Sequence, residues 1–104
     1  MTQRALVFFQ KAHCGILEEV TRGRLYRFTY DADYKGPMIS LTLPVRHEAY
    51  IWDVFPPFFD GLLPEGMQLE ALLRTHKIDH NDFMKQLLAV GEDLVGAVSV
   101  RPAP

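Results

Sequence analysis

The chain has 104 residues, a formal net charge of -2 and a single cysteine, Cys14. Apolar residues make up 48% and charged residues 23%, a balance that fits one globular domain with a small core and excludes a disordered segment. Such a charge gives no general attraction to nucleic acid or to an anionic membrane. One cysteine permits no internal disulfide and fits a reducing compartment. No charged start followed by an apolar run marks a signal peptide, and no apolar run approaches the ~20 residues of a membrane span. The expectation is a cytoplasmic, soluble, single-domain protein. Charge is unevenly spread. Seven basic and four acidic residues lie before His47, whereas three basic and seven acidic residues lie between Asp60 and Asp93. The second half is thus the one suited to a basic partner.

Ala5–Phe9 is a continuous apolar run and predicts a buried first strand. Lys11–Gly15 supplies a turn, Gly15–Val20 a second strand, and Thr21–Gly23 a second turn. Leu25–Tyr30 alternates, with Tyr26, Phe28 and Tyr30 on one face, as in a half-buried antiparallel strand. Asp31–Pro37 reads as a loop. Ile39–Leu43 alternates again and predicts a strand ending at Pro44. Tyr50–Trp52 is a short edge strand or an extended lead-in.

The pattern then becomes helical. Pro56 and Pro57 suit the first turn of a short helix over residues 55–60 that ends near Gly61. Pro64 and Glu65 open a second helix with Leu69, Leu72 and Leu73 along one face to His76. Asp79 is the expected N-cap of a third helix, with Asp82 at N3 and Ile78 and Phe83 as a staple. Phe83, Met84, Leu87 and Leu88 form its apolar face, and Gly91 stops it. Leu94–Val100 returns to strand. The fold class is therefore α+β: a small antiparallel sheet of four to five strands with two or three helices on one side.

No catalytic constellation emerges. His13, His47, His76 and His80 lie in loops or at helix ends, and the cap at Asp79 separates His76 from His80, so neither a metal nor a cofactor is expected. Cys14 beside His13 is read as an inert thiol, because neighbours in a strand-to-turn context rarely face each other. Asp31–Gly36 imitates the start of a calcium loop but has Lys35 at position 5 and Thr42 at position 12. Gly91–Gly96 lacks the Lys-Ser/Thr of a phosphate loop. Arg22, Arg24 and Arg27 read as a solvated strand edge.

The stretch Pro56–Gly66, PPFFDGLLPEG, divides the two halves. Its bland reading is a helical corner whose Phe58, Phe59, Leu62 and Leu63 fill the core. Its functional reading places Leu63, Pro64, Glu65, Gly66 and Met67 against another protein, with Glu65 offering a carboxylate and flexible Met67 an adaptable apolar contact. Trp52 serves either core or interface.

Three runs carry a family resemblance: Ile39–Pro44 (ISLTLP), Phe58–Gly66 (FFDGLLPEG) and Gly91–Val98 (GEDLVGAV). Their order and spacing resemble the N-terminal subdomain of HipA-type serine/threonine kinase toxins over almost the whole chain. The kinase catalytic and phosphate-binding motifs are not among these 104 residues. A chain of this kind is similar to the small antitoxins of tripartite HipB–HipS–HipT systems. The resemblance implies a non-enzymatic antitoxin that binds a HipT-like kinase in trans, in a ternary complex with a HipB-like helix-turn-helix protein. It implies no direct contact with nucleic acid or membrane. Relatives of this kind are expected to carry a large aromatic after the LLPEG motif, aimed at the kinase active site; Met67 stands there here. The alternative is an assembly subunit that bridges kinase and HipB-like protein without inhibiting.

Overall fold

The computed structural model describes residues 3–94 and 96–104. Strands β1 (Arg4–Phe9), β2 (Ala12–Thr21) and β3 (Leu25–Tyr30) form an antiparallel meander. Strand β4 (Tyr50–Trp52) pairs with β3, and β5 (Val98–Pro102) pairs with β1. The result is one antiparallel sheet in the order β4-β3-β2-β1-β5. Between β4 and β5 come three helices: α1 (Pro57–Asp60), α2 (Gly66–His76) and α3 (Phe83–Val90). The expected α+β class holds.

Alternation explains which face is covered. Ala5, Val7, Leu17, Tyr26, Phe28, Tyr30, Val98 and Val100 are buried on one side of the sheet. Phe55, Phe59, Met84 and Leu87 close over them. The other face carries Arg4 and Arg27, both paired with Glu18, at 3.6 and 3.0 Å. Exposed pairs of this kind stabilise by less than about 1 kcal/mol each, so burial under the helices dominates.

Four local expectations are corrected. The first turn is not Lys11–Gly15 but Gln10–Lys11, both at positive φ (50° and 72°), the twist that a two-residue hairpin demands. His13 and Cys14 consequently lie in β2, where a bulge between Val7 and Phe8 inserts Cys14 into the core. Ile39–Leu43 is not a strand. A Ser40–Leu43 bridge closes a tight turn whose apex, Leu41, is 85% exposed. The Tyr30 hydroxyl holds both ends, donating to the Leu43 carbonyl and accepting the Ile39 N–H at 3.1 Å. A buried tyrosine thus takes the place of a strand partner.

The third correction concerns α3. Its N-cap is Asp82, whose carboxylate accepts the Lys85 N–H at 3.2 Å, while Asp79 lies in the preceding turn. The Gln86 side chain, itself buried, donates to the carbonyls of Asp79 and His80 and secures that turn. The fourth is the last strand, which starts at Val98 instead of Leu94; Val95 of that expected strand lies outside the described residues. Gly91 is required at the end of α3 because a Cβ there would overlap the Val100 backbone of β5.

Candidate functional site

The corner between α1 and α2 is built from two proline breaks. Pro56 and Pro57 start α1, where missing N–H groups cost nothing. Phe59 then turns fully inward and packs on Phe28, with ring centroids 5.7 Å apart, and on Phe58 at 5.1 Å. Turns continue through Leu62 and Leu63, whose N–H groups donate to Phe59 and Asp60 carbonyls. Pro64 cannot donate and ends the run.

Glu65 is extended, with φ -129° and ψ 165°, and caps α2 with its backbone alone; its side chain makes no capping bond. Gly66 has φ +59° with nothing near its Cβ position, so glycine is needed there for backbone freedom and not for space. Met67, the residue after this left-handed step, is 89% exposed. No residue of α2 is fully buried; Leu69, Leu72 and Leu73 are half-covered.

The five predicted contact residues thus fall into two groups. Leu63 and Pro64 are half-buried, and Leu63 packs against the core cluster. Glu65, Gly66 and Met67 are exposed on the outer side of the corner. Phe58, Phe59 and Leu62 lie in or against the core, as expected of the corner's anchoring half. A shallow cavity of about 360 Å³ lies behind the ridge, lined by Leu62, Leu63, Pro64, Gln68, Val90 and Asp93 among others. Val90 ends α3 and Asp93 lies in the turn after it, and no sequence signal marks them as neighbours of Pro64. Only the packing of α3 on the sheet brings them there.

The remaining candidates do not assemble into chemistry. Cys14 is buried, its thiol donates to the Val7 carbonyl at 3.4 Å, and burial pushes its pKa up to about 12. That fits the inert reading, since the reactive form is the thiolate. His13 sits 3.1 Å from the Gly15 carbonyl and against the Phe8 ring. His76 and His80 are exposed, and among the described residues no cluster of acidic, imidazole or thiol groups is placed to hold a metal ion. Trp52 is half-buried and stacked on Tyr50. No helix among the described residues is long and apolar enough to cross a membrane.

Comparisons with known proteins place this geometry in context. The family model described as HipA N-terminal domain matches residues 5–101. An "Uncharacterized protein" of Haemophilus influenzae is 34% identical over 95 residues, covering 91% of this chain and 88% of that protein. The protein titled "Putative kinase Y4dM" of Sinorhizobium fredii is 36% identical over 80 residues, which are 71% of this chain but 20% of that protein. A solved structure titled "N-terminal domain of HipA toxin" superposes with a TM-score of 0.76 at 28% identity, over 98% of this chain and 93% of that one.

Proposed function

This chain belongs to the HipA N-terminal domain family, and on that premise we propose that it is a non-enzymatic antitoxin that binds a HipT-like serine/threonine kinase in trans and holds it inactive. The observation that carries this reading is the outward ridge Glu65-Gly66-Met67. An unbranched apolar side chain is held almost fully in solvent, beside an uncapped carboxylate, by a backbone step that only glycine adopts without strain. The protein titled "Putative kinase Y4dM" carries a related stretch within a much longer chain, which supports a kinase as the natural neighbour of this domain.

In this mechanism Phe59 and Leu63 fix the ridge to the sheet, so little freedom is lost on docking. Met67 supplies apolar contact, and Glu65 with Asp93 presents negative charge to a basic kinase surface. The complex is cytoplasmic and includes a HipB-like helix-turn-helix protein. Co-expression of this chain with a HipT-like kinase from the same genome tests the proposal. Growth should be restored by this chain and not by an empty vector. Persistent toxicity with co-purifying proteins would contradict it.

A second reading is favoured by a separate set of exposed apolar residues, Leu41, Ile51 and Val54, outside the corner. It makes the chain an assembly subunit that bridges kinase and HipB-like protein, and it predicts that same persistent toxicity.

A further inference from the structure

The two edges of the sheet, β5 and β4, are finished differently. Along the β1–β5 ladder the Ala103 N–H donates to the Arg4 carbonyl and the Gln10 N–H to the Ala97 carbonyl. Antiparallel bonding alternates, so Ser99 and Arg101 also face β1, and Val98, Val100 and Pro102 turn their backbone groups to the outer edge. That edge is guarded. The Val100 N–H donates to the Gly91 carbonyl at 2.9 Å, and Pro102 has no N–H to offer.

At the other end the same parity leaves the backbone open. The Asp31 N–H donates to the Cys14 carbonyl, which sets Thr29 and Arg27 toward β2 and Phe28 and Tyr26 toward β4. Their partners Tyr50 and Trp52 therefore bond inward to β3, and the N–H and C=O of Ile51 point away from the sheet. Among the described residues no other group bonds them. The polar side chains nearby are turned to their own loop: Arg46 donates to the Glu48 and Ala49 carbonyls, and the Tyr50 hydroxyl to the Pro44 carbonyl.

The side chains sharpen the contrast. β4 reads Tyr-Ile-Trp, without the lysine or proline that blunts an exposed edge. Ile51 is 57% exposed, and Val54, just past the strand, 59%. On the outer face the neighbour of Ile51 is Arg27, whose charge is already met by Glu18 at 3.0 Å.

This strand is also complementary to itself. Two antiparallel β4 strands centred on Ile51 bring the open N–H and C=O of each copy into a doubly bonded pair. That register sets Ile51 opposite Ile51, Tyr50 opposite Trp52 and Asp53 opposite Ala49, so the pairs are aliphatic or aromatic and no like charges meet. We infer that β4 pairs with β4 of a second copy of this chain about a two-fold axis at Ile51, so that the two sheets run on as one. A contact this short belongs with small, transient interfaces, and the dimer is accordingly weak. It uses none of the ridge residues Glu65–Met67, so either contact can fail without the other.

The test is sedimentation equilibrium and NMR on the intact chain from about 10 μM to about 1 mM, the range in which a weak contact shows. A reversible monomer–dimer equilibrium is expected, with hydrogen exchange of the Ile51 amide slowing as concentration rises. In a mixture of isotope-labelled and unlabelled chain, an intermolecular NOE should join Tyr50 Hα to Trp52 Hα, the closely spaced pair of that register. This readout needs no variant. Ile51→Lys, at an exposed position, should weaken the dimer about tenfold because like charges then face each other, and an equimolar mixture of Ile51→Lys with Ile51→Glu should restore it. The proposal is overturned if the chain stays monomeric throughout, if Ile51→Lys dimerises as the parent does, or if the mixture recovers nothing. Protection of the Ile51 amide only on addition of a different protein would give the edge to a foreign strand and likewise overturn it.

Discussion

Helices α2 and α3 carry the same apolar spacing and end up in opposite situations. Leu69, Leu72 and Leu73 line one, and Met84, Leu87 and Leu88 line the other. Met84, Gln86 and Leu87 of α3 are buried, whereas α2 buries no residue completely. The difference lies at their ends. α3 starts on the Asp82 cap, is tied back through Gln86, and finishes on Gly91 against β5. α2 starts on the left-handed Gly66 and closes on Lys77, which is also left-handed at φ 53°. Apolar periodicity tells which side of a helix turns inward, and attachment to the sheet decides how far.

Truncating one apolar side chain on each helix separates the two situations. The largest effect should come from Leu87→Ala, which empties a fully buried site and should cost about 2–5 kcal/mol, while Leu72→Ala in half-covered α2 should cost about 1 kcal/mol. Equal losses in urea unfolding would mean that α2 is as deeply packed as α3. Gly91→Ala follows. Its methyl meets the Val100 carbonyl, a backbone group with little room to yield, and about 1–3 kcal/mol should be lost. Removing the cap with Asp82→Ala should cost about 1 kcal/mol, seen as a lower denaturation midpoint at unchanged slope. The smallest change has the opposite sign. Lys77→Gly relieves a left-handed non-glycine residue and should stabilise by up to about 1 kcal/mol.

Much of the fold was legible from residue patterns. The alternation of Tyr26, Phe28 and Tyr30 gave strand β3 and its inner face, and the prolines at 56, 57 and 64 placed the corner. The failures share a cause. Ile39-Ser-Leu-Thr-Leu43 has strand periodicity, but a tertiary hydrogen bond from Tyr30 folds it into a turn. Asp79 and Asp82 are both competent caps, and the Gln86 amide bonded to the Asp79 and His80 carbonyls makes Asp79 part of the preceding turn. Gln10 and Lys11 take positive φ without glycine, because strand pairing on both sides imposes the turn. At the candidate site, the division between Phe59 and Met67 could be read from the chain. The cavity wall contributed by Val90 and Asp93 could not, since it depends on where α3 comes to rest.

The proposed docking of the Glu65–Met67 ridge on a HipT-like kinase puts Met67 at the interface. Affinity of the Met67→Asp variant for such a kinase, measured beside its thermal unfolding, tests this most directly. The residue is almost fully exposed, so stability should stay within about 0.5 kcal/mol of the parent chain. Binding should fall at least about tenfold, as truncating or charging an apolar interface contact does. Undiminished binding at unchanged stability would contradict it and move the interface elsewhere on the molecule.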